Sequence, residues 1–231
     1  MISFDSHATK YDAWFMENQN VLISELKLVA YALKSPGRTL SIGCGSGLFE
    51  HLLKEQYGVE ITEGIEPSKD MAEIATKRGM QVVIGGAEET DFGVGLYDTV
   101  LFNGCPGYIT NLELSFQKAY EALKPGGRII VIDIPKESSY ALLYNLAKAL
   151  NTWEHPLLEG IAPKDPYPIE LVCLATWRTT SEKVDLLHNV GFKDMEFAQT
   201  LTRHPMFSNT AIEEPVDGYD RGDYVAIIAT K

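Results

Sequence analysis

The sequence predicts an α/β fold, in which helices cover both faces of a doubly wound, mostly parallel sheet. Three observations carry this prediction. A short apolar stretch that begins at Thr39 ends in a glycine-rich turn, and a helical pattern follows it. Strands and helices then alternate along the chain, as in βαβ units. The segment Arg128–Ile134 contains the apolar, β-branched run IIVIDI, which suits a strand that is buried on both faces.

Seven strands are predicted, each from a short apolar run bounded by turn residues. The first opens the segment Thr39–Gly47, and the others are Ile61–Glu66, Gln81–Ile84, Tyr97–Asn103, Arg128–Ile134, Phe192–Leu201 and Tyr224–Thr230. Helical spacing of apolar residues predicts helices at LFEHLLKEQY after Gly47, at Ser68–Arg78, at Asn111–Leu123 and between Thr179 and Gly191. In the last of these, Thr180 or Ser181 is the expected N-terminal cap.

The regular alternation stops between Pro135 and Arg178. Glu137–Asn151 carries apolar residues on one helical face, whereas Pro156–Pro168 is rich in proline and has little periodicity. We interpret this segment as a helical insertion that forms a lid or a substrate wall.

The composition is that of an ordinary globular protein, which excludes disorder and collagen-like repetition. The 231 residues are 45% hydrophobic and 23% charged, with 32 acidic and 20 basic residues. The formal net charge of −12 disfavours a large nucleic-acid footprint, because a negative surface repels phosphate backbones. We therefore expect no nucleic-acid partner.

The three cysteines, Cys44, Cys105 and Cys173, are widely spaced and match neither a disulfide framework nor a zinc pattern. No metal site is expected, and a three-thiolate site for a soft metalloid is a minor alternative. The N-terminus lacks the basic and apolar regions of a signal peptide. No apolar run approaches the roughly 20 residues that span a bilayer. These features predict a cytoplasmic protein that does not associate with membranes.

A glycine-rich turn is the strongest candidate for a ligand site. Gly43, Gly45 and Gly47 form a GxGxG pattern, and Leu48 stands where a dinucleotide fingerprint needs its third glycine. Glycine permits a tight turn and a close approach of backbone to ligand, and the following helix N-terminus suits an anionic group. Glu66 ends the next strand, where a carboxylate can accept hydrogen bonds from ribose hydroxyls. The alternatives are a tight turn without a ligand, and a helix N-terminal acid in Glu66-Pro67-Ser68.

Five segments follow one another in a characteristic order: TLSIGCGSG, GIEPSKDMAEIATKRG, GGAEETDF, YDTVLFNG and ALKPGGRIIVID. Together they resemble class I S-adenosylmethionine-dependent methyltransferases, and they cover Thr39 to Asp133. The later segment WRTTSEKVDLLHNVGFKDME resembles the final helix and sixth strand of the family's small-molecule members. The ending RHP…EEPVDGYDRGDYVAII resembles that of a bacterial and archaeal group within the family.

The resemblance implies a Rossmann-like fold with a seven-stranded, mostly parallel sheet whose last strand is antiparallel. It also implies that S-adenosyl-L-methionine is the cofactor and that a methyl group passes to a small molecule. The chain is then expected to form a single domain over residues 1–231. Its parts would be N-terminal lid helices (1–35), a cofactor-binding core (36–134), the lid insertion (135–178) and a final helix with two strands (179–231).

The resemblance also implies a set of cofactor-binding residues. The methionine part would be wrapped by Gly43, Cys44, Gly45 and Gly47. Glu66 would hold the ribose hydroxyls, and Pro67 or Ser68 would pack near the adenine. Ala87 and Glu88 would flank the adenine ring and meet its exocyclic amine. Asn103 and Gly104 would lie under the reactive end, and Tyr11 would touch the methionine carboxylate. One position departs from the family, because Ser41 replaces an aspartate that often orients the glycine loop.

The predicted topology selects His204 as the candidate catalytic base. An antiparallel last strand places the loop Thr202–Asp223 at the carboxyl end of the sheet, on the ligand side, and the pKa expected for histidine suits neutral pH. A surface or packing role for His204 is the alternative, and His155 and His7 are weaker candidates. The same loop carries Glu213, Glu214, Asp217 and Asp220, which would favour a cationic or amine acceptor if they faced the site.

Methyl transfer from a sulfonium is an in-line displacement, so the protein mainly supplies proximity and alignment. The function predicted is therefore methyl transfer to a small molecule, with an amine as one candidate acceptor. Two alternatives stay open: aminopropyl transfer on the same fold, and a degenerate binding module. Aminopropyl transfer is disfavoured because Asn103 stands where that chemistry wants an aspartate, and nicotinamide chemistry is disfavoured by Leu48. The sequence leaves the oligomeric state open.

Overall fold

A computed structural model describes residue 5 and residues 8–231 of the chain. Eight strands form one sheet with the order β3-β2-β1-β4-β5-β8-β6-β7. Their bounds are β1 Thr39–Ile42, β2 Glu63–Glu66, β3 Gln81–Ile84, β4 Tyr97–Asn103, β5 Leu123–Asp133, β6 Lys193–Thr200, β7 Val216–Asp217 and β8 Tyr224–Thr230. The first five strands pair in parallel, and β8 lies antiparallel between β5 and β6.

The predicted fold class is confirmed, with one more strand than the seven expected. All seven predicted strands are present, and β8 has the antiparallel direction that the resemblance implied. The extra strand, Val216–Asp217, pairs with Ala198 and Gln199 at the edge of the sheet. Two residues carry no readable periodicity, so only the long-range pairing reveals this strand.

The position of β1 in the sheet places the ligand crevice. β1 pairs with β2 on one side and with β4 on the other. The connections from these strands therefore diverge to opposite sides at the carboxyl edge, which is where open α/β sheets bind ligands. The turn after β1 contains Gly43, and the turn after β4 contains Gly104.

Two apolar layers cover the sheet, one on each face. Side chains along β4 alternate between them: Leu101 joins the layer of Leu26, whereas Val100 and Phe102 join the layer of Phe116. This alternation is what a strand buried on both faces requires. The helices are α1 Ala8–Glu17, α2 Gln19–Leu33, α3 Leu48–Tyr57, α4 Lys69–Lys77, α5 Leu112–Ala122, α6 Ser139–Leu150, α7 Ile169–Leu174 and α8 Thr180–Val190.

Local signals set the helix ends. Ser68 caps α4 by accepting a hydrogen bond from the Met71 N–H. Helix α8 begins with a capping box in which Thr179 and Glu182 exchange hydrogen bonds of 2.6 and 3.0 Å. The cap is therefore Thr179 rather than the predicted Thr180 or Ser181. Gly191 ends α8 in the left-handed conformation, as predicted.

The N-terminal helices have two different roles. Helix α1 borders the carboxyl edge of the sheet, whereas α2 buries residues such as Leu26, Leu28 and Val29 in the layer over one sheet face. Helix α1 therefore covers the crevice, and α2 reaches it through Glu25. Among the described residues, no helix combines the length and the apolar character that crossing a bilayer requires.

Candidate active site

Two neighbouring cavities open at the carboxyl edge of the sheet. The first, with about 940 Å³ of empty space that includes open solvent, lies over the turns after β1, β2 and β4. The second, with about 490 Å³ of empty space that includes open solvent, lies between α1, α2 and the insertion, which contributes α6. We call them the donor cavity and the acceptor chamber. Both are lined by the same four residues, which mark where the two spaces meet: Tyr11, Gly104, Tyr108 and Tyr167.

The glycine turn uses its three glycines differently. A side chain at Gly45 would meet open space, and Gly45 lines the donor cavity. A side chain at Gly47 would collide with Met80 and Ala75, so this glycine permits close packing between α3 and α4. Gly43 lines the cavity, yet its absent side chain makes room for Cys105.

Cys44 does not present its side chain to the donor cavity. Its thiol lies beside Gly64, in a small buried cluster with Ala75 and Met80. The backbone of Cys44 belongs to the turn: its N–H donates to the Ile65 carbonyl at 3.2 Å, and its carbonyl accepts from the Gly47 N–H at 2.9 Å. The geometry therefore gives Cys44 and Gly47 a packing role, in place of the ligand contact that the resemblance implied.

Glu66 is the charged centre of the donor cavity. Its carboxyl oxygens accept hydrogen bonds from the backbone N–H groups of Gly45 and Ser68, each at 2.9 Å. Burial raises the pKa of Glu66 to about 7, although these two N–H bonds oppose the rise. The carboxyl group thus joins the glycine turn to the start of α4 and faces the cavity with unused acceptor capacity.

Four further predicted residues line the donor cavity: Pro67, Ala87, Glu88 and Asn103. Glu88 accepts a hydrogen bond from the Asn111 N–H at 2.6 Å, which holds its carboxyl group at the cavity wall. Asn103 accepts from the Tyr224 hydroxyl at 2.9 Å. Both side chains are therefore positioned by the protein before any ligand contact.

A buried carboxyl group lies under the glycine turn despite the serine at position 41. The Ser41 hydroxyl donates to Glu50 of α3 at 2.6 Å, and both residues are buried. Burial raises the pKa of Glu50, with the Ser41 hydrogen bond opposing the rise. Where the resemblance implies an aspartate on the first strand, this chain places a serine that is hydrogen-bonded to a glutamate of the following helix.

Helix α1 is tied to the glycine turn by Asp12. One carboxyl oxygen of Asp12 accepts from the Ser46 hydroxyl at 2.5 Å, and the other accepts from Arg78 at 2.7 Å. Arg78 also donates to the Ser46 carbonyl at 2.8 Å, which closes the network. This network fixes the position of α1, and with it the adjacent residue Tyr11, which lies at the junction of the two spaces.

The acceptor chamber has aromatic walls and two carboxyl groups. Its aromatic residues are Tyr11, Trp14, Phe15, Phe49, Tyr108, Tyr144, Tyr167, Trp177 and Tyr224. The insertion contributes Tyr144, Tyr167 and Trp177, which supports its interpretation as a substrate wall. The carboxyl groups belong to Glu25 and Asp133, and no lysine, arginine or histidine lies among the described lining residues.

Sequence reasoning missed both of these carboxyl groups. Glu25 stands on the apolar face of α2, where Val21, Leu22, Leu28 and Val29 surround it at helical spacing. An acid at such a position is a signal that can be read from the sequence. Burying an unpaired carboxylate costs free energy, so its presence on an apolar face indicates a functional role. Asp133 ends the buried strand β5, which the sequence analysis used only as a sheet element.

The structure does not bring His204 to either cavity. Its exposed side chain caps the short 3-10 helix Pro205–Thr210, where Nδ1 accepts from the Met206 N–H at 3.2 Å. His155 plays the same part for Leu157, and His7 lies outside the described residues. The geometry therefore gives no support to a histidine base, because the loop turns this side chain away from the sheet edge.

The acidic loop also turns away from the site. It leaves β6 at the expected edge of the sheet, but its carboxyl groups contact α2 and β6. Glu214 pairs with Lys27, Asp217 accepts from Tyr31, and Asp220 accepts from Gln199. Glu213 is buried and accepts from Thr202. The pairing of β7 with β6 directs the loop back over the sheet, so these acids do not border the acceptor chamber.

The cysteines lie in three different surroundings. Cys44 packs under the turn, Cys105 donates to the Ile42 carbonyl at 3.0 Å, and Cys173 lies near Asn151. In the part of the chain that the structure describes, no cluster of three or more acidic, histidine or cysteine side chains could hold a metal ion.

Comparison with known proteins places the chain in a family. The family model described as a methyltransferase domain matches residues 15–197. This chain belongs to the methyltransferase domain family. It is an S-adenosylmethionine-dependent methyltransferase.

Three relatives of this methyltransferase illustrate the range of similarity. An S-adenosylmethionine-dependent methyltransferase from Thermotoga maritima, described as a possible histamine N-methyltransferase, is 31% identical with a TM-score of 0.83. The match covers 99% of this chain and 98% of that one. An uncharacterised protein of Methanocaldococcus jannaschii is 30% identical, over 99% of this chain and 98% of its own length. The trans-aconitate 2-methyltransferase of Rhizobium leguminosarum is 23% identical, over 86% of this chain and 74% of its own length.

Proposed function

We propose that this methyltransferase binds S-adenosylmethionine in the donor cavity and methylates the nitrogen of a small amine held in the acceptor chamber. The observation that carries the proposal is the meeting of the two spaces at Tyr11, Gly104, Tyr108 and Tyr167. A donor and an acceptor in these spaces would meet at a junction that protein side chains largely enclose. Such enclosure supplies the proximity on which an in-line displacement depends.

The donor cavity fits the chemistry of the cofactor. Glu66 offers a buried carboxyl group for vicinal hydroxyls, and Gly45 leaves open space beside it. Ala87 and Glu88 provide a flat wall and an acceptor for an exocyclic amine. Bound there, S-adenosylmethionine supplies a methyl group already activated by a positive sulfur. The residues of the chain then bind, orient and exclude water.

The acceptor chamber favours an amine with an apolar or aromatic body. Its rings pack against one another, with centroids of Trp14 and Tyr167 5.1 Å apart and those of Tyr144 and Trp177 5.5 Å apart. Faces of such rings attract a cation, and the walls exclude an extended polar substrate. The Thermotoga maritima relative, described as a possible histamine N-methyltransferase, supports the same class of acceptor.

The proposal is tested by methyl transfer from a labelled donor. Histamine and 2-phenylethylamine are offered as amines, and trans-aconitate and 2-phenylethanol as an acid and an alcohol. We expect a labelled product from an amine, and mass spectrometry should place the methyl group on nitrogen. Binding of the donor is measured separately by calorimetry, with nicotinamide cofactors as controls. Transfer only to the acid or the alcohol would contradict the amine assignment, and failure of the donor to bind would contradict the assignment of the donor cavity.

The Asp12 network gives a second test of the assignment. The change Asp12→Ala removes the hydrogen bonds that tie α1 to Ser46 and Arg78. We expect about a three- to thirty-fold loss of S-adenosylmethionine affinity, because about 0.7–2 kcal/mol remains after discounting for partial exposure. Calorimetry measures the affinity, and hydrogen exchange in α1 should become faster. Glu73→Ala, which removes an exposed side chain of α4, serves as the control, and an unchanged affinity in Asp12→Ala would show that α1 does not help to retain the donor.

The four-part division of the chain, the cytoplasmic location and the absence of a nucleic-acid partner stay predictions. The division has the support of the crevice, since residues from the N-terminal helices, the core and the insertion all contribute to the two spaces.

A further inference from the structure

Glu25 is a buried acid with no partner in the described structure. Its side chain is 7% exposed, lines the acceptor chamber and makes no hydrogen bond or ion pair with another described residue. Burial is the cause that raises the pKa of Glu25 to about 8, and no neighbouring cation opposes it. A carboxyl group left in this state is destabilising unless a ligand satisfies it.

The second acid of the chamber is already neutralised. Asp133 lies 3.3 Å from the Nζ of Lys183, and both side chains are 2% exposed. The negative charge of Asp133 therefore has its cation within the protein, and Glu25 is left as the chamber carboxyl group that can receive one from outside.

We infer that Glu25 is the residue that recognises the acceptor amine and removes its proton. This inference rests on the proposed function and assigns a role that His204 does not fill. The aromatic walls contact the body of the amine, while Glu25 accepts a hydrogen bond from its ammonium group. Glu25 lies on the buried face of α2, among residues packed over one face of the sheet, and this packing holds the carboxyl group in place.

The proton balance of the step is simple. An N–H bond of the bound ammonium breaks, its electron pair stays on nitrogen, and the proton forms an O–H bond with Glu25. The freed lone pair attacks the methyl carbon as the carbon–sulfur bond breaks, and the electrons of that bond stay on sulfur. The methylated product carries the positive charge, and Glu25 keeps its proton when the product leaves, because the one proton that the cycle releases passes to water when the ammonium binds. Such proton transfer by a positioned side chain is general base catalysis.

The described titratable groups around Glu25 are tyrosines, one ion pair and, beyond Tyr140, the carboxyl group of Asp223, whose pKa burial raises to about 6. Burial raises the pKa of each tyrosine around it, so all of them stay neutral there: Tyr11 of α1, Tyr140 and Tyr144 of α6, Tyr224 of β8, and Tyr108 and Tyr167 at the junction. The Asp133–Lys183 pair, from β5 and α8, is internally balanced. At pH 7 the carboxyl group of free Glu25 is mostly protonated, and an ammonium ligand displaces that proton.

The test uses binding without a methyl donor, so it does not depend on turnover. 2-Phenylethylamine and its neutral analogue 2-phenylethanol are titrated into the full-length protein and into Glu25→Gln. We expect at least a tenfold preference for the amine in the unchanged protein and loss of that preference in Glu25→Gln. Binding of the amine at pH 7 should release about one proton, seen by calorimetry in buffers of different ionisation enthalpy, and Glu25→Gln should release none. Glu214→Gln, an exposed acid paired with Lys27, controls for the change in net charge.

Three outcomes would overturn the inference. In the first, the unchanged protein shows no preference for the amine, which includes binding neither compound. In the second, the preference survives in Glu25→Gln. In the third, the amine binds without releasing a proton. Kinetics with the labelled donor then separate this inference from the proposed function. If amines are methylated and kcat/KM is the same in Glu25→Gln across pH 6–9, Glu25 is not the base, while the proposed function stands. If no acceptor is methylated and the donor does not bind, the proposed function itself has failed.

Discussion

Replacing Lys183 with methionine is expected to lower the free energy of unfolding by about 3–5 kcal/mol. Lys183 and Asp133 are each 2% exposed, and Asp133 lies between the sheet and α8. Removal of the ammonium group leaves a buried carboxyl group without its counter-charge. Burial already raises the pKa of Asp133 while Lys183 opposes the rise, so the variant should take up a proton at this site.

Chemical denaturation with a matched control measures this effect. Lys34→Met removes an exposed cation that lies 3.3 Å from Glu196, and it should change the stability by less than about 1 kcal/mol. The double variant Asp133→Asn, Lys183→Met should recover part of the loss, because it leaves no buried charge. If Lys183→Met and Lys34→Met lower the free energy of unfolding equally, the buried pair contributes no more to stability than the exposed pair does.

Replacing Glu66 with alanine is expected to weaken S-adenosylmethionine binding by about 1.5–3 kcal/mol, or roughly ten- to 150-fold. The carboxylate is the acceptor for the ribose hydroxyls in the proposed binding mode, and charge-assisted hydrogen bonds are the strong ones. The variant also loses the bonds that join Gly45 to Ser68, so the glycine turn should loosen.

The pH dependence of donor binding follows from the same residue. Burial raises the pKa of Glu66 to about 7, and the charged form is the better hydrogen-bond acceptor. The affinity should therefore be constant above about pH 8 and fall as the pH drops through 7, by up to about tenfold per unit. Glu66→Gln should remove this dependence, and Glu89→Gln, an exposed neighbour of the cavity, should keep it. A pH profile that is the same in the unchanged protein and in Glu66→Gln would assign the titration to another group.

Much of the donor side was predictable, because its signals are local. Glu66 and Asn103 end strands, Gly43 and Gly45 lie in the turn after one, and the carboxyl ends of parallel strands meet at one edge of the sheet. At Cys44 and Gly47 a cofactor contact stays a prediction, and the structure shows packing contacts there. A sequence pattern shows that a turn is tight, but packing against Met80 decides which glycine faces a ligand and which faces a neighbouring helix.

The acceptor side was not predictable, because its residues come from separate parts of the chain. Glu25, Asp133 and Tyr224 belong to α2, β5 and β8, and no local motif connects them. His204 was expected at the site from the direction of a strand alone. The direction was right, yet the cap that His204 forms on its own 3-10 helix turned the side chain elsewhere.

By itself, the amino-acid sequence determined the α/β class, the seven strands along the chain and the turns that form the donor cavity. These features depend on periodicity, on glycine and on strand ends, all of which act over a few residues. Tertiary structure alone decided the eighth strand, the Asp133–Lys183 pair and the chamber around Glu25. Burial and charge pairing arise only when folding brings groups together. The carboxyl group of Glu25 therefore becomes a candidate base only in the folded protein.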